Sequence, residues 1–302
     1  MRWVVGIDFQ HRCDGAVGLA RWLHSNTARA RFLGVHVIEL PILLESYDLM
    51  GVESEARKHA LRLLDDAGAA SAFTDLQVVV DTSADHGIER VRAEQGAMGM
   101  IVGRRAAREG RPWIALGKVA RRLIRHVAAP LIVVPRDLPT EALEAGPIVV
   151  ATDLTDQSVP ALRFAQRLAG DLGRPLRVVH AIPIVDLPEV YGPYVAWVVP
   201  PGELRGRCEA NLRSWLIEQE VAGAPGLTSA VLDGPVVHAL AADAEERGAA
   251  LVVCGARRLS MVERLFASSV GSELAAGASV PVAIVPHDHE AAPESSSIQQ
   301  FD

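Results

Sequence analysis

The sequence is poor in cysteine, in lysine and in long apolar runs, and each shortage narrows the class of protein. Its three cysteines (Cys13, Cys208 and Cys254) are far apart and lack CxxC spacing, which argues against a disulfide scaffold and favours the cytoplasm. Lys58 and Lys118 are its only lysines, and with a formal net charge of −7 general nucleic-acid binding is not expected. No apolar run reaches the ~18–20 residues that cross a bilayer, so no membrane partner is expected.

The excess of acidic over basic residues lies in the second half of the chain. Residues 1–146 contain 19 basic and 18 acidic residues, whereas the remainder contains 11 and 19. A chain of 302 residues, 49% of them hydrophobic, has enough apolar material for two domains of ordinary size.

The chain repeats itself, with four segments recurring in the same order. The matched segments are 2–23 with 147–168, 32–40 with 176–184, 96–105 with 248–258, and 129–137 with 280–288. The repeat predicts a first domain (residues 1–137), a linker (138–146), a second domain (147–288) and a disordered, polar tail (289–302).

Each repeat shows apolar runs that alternate with amphipathic helical stretches. Uninterrupted runs such as Leu131–Val134 are typical of strands buried on both faces of a parallel sheet. We therefore predict an α/β protein with two tandem open parallel five-stranded sheets and helices on both faces. Ligands of such sheets bind beyond the carboxyl ends of the strands, which directs attention to the loops near Asp8, Asp153, Gly103 and Gly255.

Four of these features together resemble the universal stress protein family. They are the early aspartate, a Val-His pair within the second strand, a strand ending in Val-x-Gly and a closing Val-Pro strand, and the duplication resembles a tandem member. The resemblance implies a flavodoxin-like strand order of 3-2-1-4-5 and a cytoplasmic stress-response role, regulatory or protective. Family members dimerise through the last strand, which implies that Leu131–Val134 and Val282–Val285 pair within this chain. Homo-oligomers are a further expectation.

The resemblance also implies a nucleotide motif in those members that bind ATP: Gly, two residues, Gly, nine residues, then Gly-Ser or Gly-Thr. The glycines let backbone N–H groups approach phosphates, and the hydroxyl caps the helix that faces them. The second domain keeps Gly255 and Ser269 but has Arg258 and Ser268 at the other two positions. The first domain keeps Gly103, has Ala106 at the second glycine, and carries Gly117-Lys118 one residue late. Both motifs are therefore degenerate.

Basic residues are concentrated in the first domain around the position of the missing glycines. Four are spaced to share one helical face, Lys118, Arg121, Arg122 and Arg125, and four fill the preceding loop, Arg104, Arg105, Arg108 and Arg111. Three interpretations are open: a solvated helix face, a site for a phosphorylated ligand such as ATP, ADP or AMP, or a patch for an acidic protein partner. On this ground the sequence favours the first domain over the second as the nucleotide site.

The remaining candidate residues each have a functional and a structural interpretation. Asp8 and Asp153 match the family acid that faces the nucleoside, or they bond to loop N–H groups. Val37 matches a position near the adenine, or it is core. His36 and His180 are expected to be hydrogen-bonded core residues, and no metal site is predicted. No nucleophile–base–acid set is recognisable, so we expect no enzyme activity. Two functions compete: an adenine-nucleotide sensor, and a nucleotide-free interaction module in which both ligand sites have lapsed.

Overall fold

The computed structural model describes residues 1–8, 14–27, 29–40, 50–104, 116–182, 201–256 and 269–289. Strands and helices alternate along these residues, as the repeat predicts. The strands, β1 to β10 in chain order, are Arg2–Gly6, Arg31–Glu39, Phe73–Asp81, Gly99–Gly103, Leu131–Val134, Ile148–Ala151, Leu176–Ile182, Thr228–Asp233, Leu251–Gly255 and Val282–Val285. The helices, α1 to α8, are Asp14–Asn26, Met50–Asp66, Ala84–Glu94, Lys118–Arg125, Val159–Leu172, Pro201–Glu218, Val236–Glu246 and Val270–Gly277.

The strands form two parallel half-sheets that have the same order. The first half-sheet runs β3-β2-β1-β4-β5 and the second runs β8-β7-β6-β9-β10. Each is the order 3-2-1-4-5 that the family resemblance implied, so the predicted fold is confirmed. The uninterrupted apolar runs have the predicted cause, since the strands at the centre of the sheet are buried on both faces.

The two half-sheets join into one ten-stranded sheet through their last strands. β5 and β10 pair antiparallel, with Val133 opposite Val282 and Leu131 opposite Ile284. The predicted pairing within one chain is thus confirmed. No side chain of these two strands is more than 1% exposed, so each strand covers an edge that would otherwise be open to aggregation.

Contacts beyond these strands also join the halves. The ring of Trp3 meets that of Phe164 edge-on, with centroids 6.2 Å apart. The guanidinium of Arg174 lies 5.8 Å from the centre of the Trp22 ring. Both large hydrophobic clusters contain residues from the two halves. The domains therefore share a continuous core.

The predicted linker contributes to this core. A 3₁₀ turn, Thr140–Leu143, lies within residues 138–146, and Leu143 is 1% exposed within the larger cluster. From residue 290 onward, the predicted disordered tail lies outside the described residues. Its first residue, His289, packs its ring against Phe164 at a centroid distance of 6.3 Å. None of the described helices has the length and apolar character needed to cross a membrane.

Candidate functional site

The carboxyl ends of β6, β7 and β9 surround a cavity of about 320 Å³ in the second domain. Strands β6 and β9 are neighbours, with Ala151 paired to Cys254, so the loops after them open at the same place. The cavity brings together three residues that the sequence predicted, Asp153, Gly255 and Ser269. This is the position at which open α/β sheets bind ligands.

One part of the cavity lining is apolar. It is formed by Ala151, Val179 and Ala181 on the strands and by Val236 and Leu240 on α7. The sequence analysis selected none of these five. The sequence did contain one indication of space at this position: Ala181 aligns with Val37 of the first repeat, whose side chain is larger.

His180 also lines the cavity, and its hydrogen bond fixes the tautomer of its neutral ring. Its Nδ1 lies 2.9 Å from the carbonyl oxygen of Thr152. Because a carbonyl only accepts, Nδ1 donates, and the Nε2 of the neutral imidazole is an acceptor. In the first domain, Nδ1 of His36 lies 2.9 Å from the carbonyl oxygen of Ile7. Both histidines thus have the structural partner that the sequence analysis expected.

The loop after β6 is tied by its own side chains. Asp153 Oδ1 accepts hydrogen bonds from the backbone nitrogen of Thr155 at 3.1 Å and from its hydroxyl at 2.7 Å. Thr152 Oγ1 lies 2.8 Å from Ser158 Oγ and accepts from the backbone nitrogen of Leu154. Leu154 has a φ of 63°, a strained conformation that these bonds hold in place at the rim of the site. The structural interpretation of Asp153 was a bond to a loop N–H group, and the structure contains this bond.

The start of α8 forms another wall of the cavity. Ser269 caps the helix: its Oγ accepts from the backbone nitrogen of Ser272 at 3.2 Å, and Ser272 Oγ accepts in return from the backbone nitrogen of Ser269 at 3.0 Å. On the neighbouring strand, burial raises the pKa of the Cys254 thiol to about 12, so this thiol stays protonated at neutral pH. No group of three or more potential metal ligands occurs among the described residues.

In the first domain, side chains pack closely at the matching place. Ile88 Cδ1 lies 3.0 Å from the position that a β-carbon on Gly6 would take. Both γ-carbons of Val37 lie 2.9 Å from the corresponding position on Gly87. Val37, which is half-buried, therefore packs against α3. Asp8, which lies just beyond the end of β1, is half-buried.

Acids accompany the basic helix face of the first domain. Gly117 precedes α4 as its N-cap residue, and Lys118 begins the helix. Lys118 Nζ lies 3.7 Å from Glu39 Oε2, and Arg122 Nη1 lies 3.2 Å from Asp85 Oδ1. These pairs offset part of the positive charge that made the first domain the favoured nucleotide site.

Arg104 corrects one expectation of the sequence analysis. It was expected to join an anion-attracting loop, but it is 6% exposed and its guanidinium points to the second domain. It donates to the carbonyl oxygens of Ala275 and Ala278, at 3.2 and 2.6 Å, at the C-terminal end of α8. A cation is favourable there because the last carbonyls of a helix carry partial negative charge. Six other residues named above, Arg105, Ala106, Arg108, Arg111, Arg258 and Ser268, lie outside the described residues.

The model of the "Universal stress protein family" matches residues 1–135 and 145–286. A universal stress protein structure from Archaeoglobus fulgidus DSM 4304 superposes with a TM-score of 0.69 at 18% identity, covering 95% of this chain and 98% of that one. A putative universal stress protein from Pseudomonas aeruginosa UCBPP-PA14 gives 0.62 at 15% identity, covering 94% and 92%. At these identities the two structures show the fold alone.

A further solved structure, a universal stress protein in complex with cAMP, is 25% identical, with a TM-score of 0.36. It covers 47% of this chain and 97% of that one. No curated protein matches the sequence.

Proposed function

Because this chain belongs to the universal stress protein family, we propose that it is a stress-response regulatory protein that binds an adenine-containing ligand in its second domain. One observation carries the proposal: the cavity of about 320 Å³ opens at the strand ends, with Asp153 and Gly255 at its rim. Small-molecule sites occupy roughly 300–1,000 Å³ and combine an apolar lining with a few polar groups. The cavity fits the lower end of that range.

The proposal assigns different roles to the two domains. The second domain binds the ligand, although the sequence favoured the first. The first domain serves as a nucleotide-free partner, a role supported by the packing of Val37 against Gly87 and by the pairing of Lys118 with Glu39. We place the protein in the cytoplasm, in keeping with the free thiols of Cys208 and Cys254.

We further propose that the site binds without turnover. Among the side chains of the described lining residues, the thiol of Cys254 has the greatest potential as a nucleophile. Burial raises its pKa to about 12, which keeps it in the unreactive thiol form at neutral pH. The hydroxyl of Ser158 donates to the carbonyl oxygen of Thr155, and that of Ser269 bonds within the helix cap. Neither hydroxyl is positioned by an imidazole in the way that a catalytic nucleophile requires.

The test is calorimetric titration of the full chain with ATP, AMP, cAMP and adenosine. We expect at least one of them to bind at one site per chain. Ala181→Val places the residue of the first domain in the cavity wall, and we expect it to weaken binding by about tenfold or more, because the added methyl groups occupy ligand volume. Val37→Ala makes the reverse exchange in the first domain and is the matched control, with unchanged affinity expected.

Two results would contradict the proposal. If no adenine compound binds, the nucleotide-free interaction module becomes the better description of the protein. If Ala181→Val leaves the affinity unchanged while thermal unfolding shows a folded protein, the ligand binds elsewhere.

A further inference from the structure

We propose that Arg104 of the first domain is a positioning residue for the second-domain site. By holding the C-terminal end of α8, it fixes the N-terminal end of the same helix as a wall of the cavity. The effect on ligand affinity rests on the proposed function, whereas the effect on the helix can be measured on the protein without a ligand.

Helix α8 extends from the cavity to the contact between the domains. Residues 269–271, at its N-terminal end, line the cavity. The carbonyl oxygens of Ala275 and Ala278, at its C-terminal end, accept hydrogen bonds from Arg104. At 1.5 Å per residue, the helix is about 12 Å long, which is little more than two turns. A contact at one end is therefore close to the site at the other end.

Arg104 is fixed to the first domain while it holds α8. Its backbone nitrogen donates to the carbonyl oxygen of Val134 at 2.8 Å, which ties the residue to the buried strand β5. Its Nη1 and Nη2 donate to two different carbonyls of α8, at 3.2 and 2.6 Å. Because Arg104 is 6% exposed, little water competes for these bonds, and a charged donor makes them stronger than neutral ones. The residue thus joins the helix to the sheet of the other domain.

The hydrogen bonds within α8 connect its two ends. The backbone nitrogen of Glu273 donates to the carbonyl oxygen of Ser269 at 3.0 Å, and that of Ala278 donates to the carbonyl oxygen of Leu274 at 2.8 Å. Moving one end of so short a helix without the other would break bonds of this kind. Loss of the contact with Arg104 is therefore expected to loosen the residues that line the cavity.

Gly271 gives the helix a close fit on the sheet. A β-carbon on Gly271 would lie 3.1 Å from Cys254 Sγ and 3.4 Å from Ile284 Cγ1, so α8 lies directly on β9 and β10 at this point. Cys254 is 4% exposed, and both Cys254 and Gly271 line the cavity. A shift of α8 away from the sheet therefore uncovers the thiol and changes the shape of the site.

The reaction of the Cys254 thiol with N-ethylmaleimide measures the position of α8 in the full chain without a ligand. Arg104→Met keeps most of the apolar stem and removes the donors to α8, so we expect the thiol to react about tenfold faster than in the parent protein, because local opening becomes easier. Cleavage after arginine places Cys13, Cys208 and Cys254 on separate peptides, and mass spectrometry of the Cys254 peptide gives the rate.

Unfolding of the whole chain also exposes Cys254, and Leu64→Ala is the matched control for that route. Leu64 is 1% exposed within a cluster of first-domain residues, so its replacement lowers stability without a change at α8. Urea-induced unfolding gives the loss of stability in each variant. We expect the Cys254 rate to rise more in Arg104→Met than in Leu64→Ala for the same loss of stability. An equal or smaller rise would overturn the inference, because α8 would then stay in place without Arg104.

Arg104→Lys keeps the charge but has a single nitrogen for the two carbonyls, so we expect the Cys254 rate to rise by about threefold. This variant decides the question if Arg104→Met does not fold. In that case a Cys254 rate equal to that of the parent protein would overturn the inference.

Calorimetric titration of the same variants with ATP, AMP, cAMP and adenosine tests the effect on the site. For each compound that the parent protein binds, we expect Arg104→Met to weaken binding by about fivefold, because the cavity wall is no longer preorganised. Leu64→Ala is expected to leave the affinity unchanged. Unchanged affinity in Arg104→Met would overturn the positioning role while the proposed function stands. If the parent protein binds none of the four, the proposed function fails, and the Cys254 rate still decides whether Arg104 fixes α8.

Discussion

The two domains differ in the residue that follows the fourth strand, which is β4 in the first domain and β9 in the second. The first continues from Gly103 into Arg104, which is buried against the other half, and the second continues from Gly255 into Ala256, which lines the cavity. Behind these residues, Val37 fills the space against α3 where the second domain has Ala181. The same backbone plan thus carries different side chains at the described strand ends of the two copies.

Both domains contain comparable contacts that support the backbone. The bond from His36 to the carbonyl oxygen of Ile7 has its counterpart in that from His180 to Thr152. Each outer strand is held by an arginine of the helix before it. Arg57 of α2 donates to Asp75 and to the carbonyl oxygen of Leu76, and Arg205 of α6 donates to Asp233 and to the carbonyl oxygen of Val231. The histidine bond to the main chain is thus kept at the same position in both copies, whereas the two arginines bind different parts of their strands.

The interiors differ as well. Arg177 on β7 and Asp243 on α7 form a buried bidentate ion pair, with Nη2 and Oδ1 2.6 Å apart and side chains 11% and 6% exposed. The bond to Asp243 holds the pKa of the Arg177 guanidinium above its usual value, against the opposing effect of burial. The first domain has the apolar pair Leu33 and Val91 at these positions.

The largest expected effect comes from breaking this pair on one side. Asp243→Ala leaves the Arg177 guanidinium buried without its carboxylate, and we expect the free energy of unfolding to fall by about 3–5 kcal/mol. The double replacement Arg177→Leu with Asp243→Val gives the second domain the residues of the first. Because it removes the cost of burying both charges, it is expected to stay within about 1 kcal/mol of the parent protein or to exceed its stability.

Urea-induced unfolding of the full chain measures both variants. The double variant is the control for the single one, because both lack Asp243 and only the single variant retains the unpaired charge. Equal losses in the two variants would contradict this account. They would mean that the ion pair itself adds net stability and that leaving Arg177 unpaired has no additional cost.

A smaller effect is expected from the arginine that distinguishes the two strand ends. Arg104→Met keeps most of the apolar stem and removes the donors to Ala275 and Ala278, so we expect a loss of about 1–3 kcal/mol in the free energy of unfolding. Burial lowers the pKa of Arg104 to about 10, which still leaves it charged at neutral pH. Arg122→Met is the control: its exposed pair with Asp85 is worth less than about 1 kcal/mol. Equal losses in the two variants would refute the interdomain role of Arg104.

The fold could be predicted from the sequence because it depends on local and repeated patterns. Apolar runs indicate buried strands wherever they occur, and their repetition identified the two half-sheets and the pairing of Leu131–Val134 with Val282–Val285. Asp153, Gly255 and Ser269 lie at one cavity, and the sequence could bring them together because each lies near the end of a predicted strand.

The observations on which we base the proposed ranking of the two sites could not be predicted in the same way. The charge of Lys118 is visible in the sequence, but its partner Glu39 lies on another element, and the pairing depends on the fold. The role of Arg104 depends on contact with the other half of the chain, which no local pattern contains. The cavity itself results from the volumes of residues such as Ala181 and Leu240, which come together only in three dimensions.

The smallest expected effect concerns the end of the second domain, where His289 occupies the position of Leu138 in the first. Burial lowers the pKa of His289, the charge of Arg167 lowers it further, and Asp288 opposes the shift. Because the unfolded chain takes up the proton more readily, the contribution of His289 to stability is present above its ordinary pKa of 6.5 and is lost as the pH falls through its lowered value. His289→Leu is therefore expected to reduce the loss of unfolding free energy as the pH falls from about 6.5 through the lowered pKa of the histidine. Parallel pH profiles for the parent and the variant would show instead that the histidine against Phe164 is as free to charge in the folded protein as in the unfolded chain.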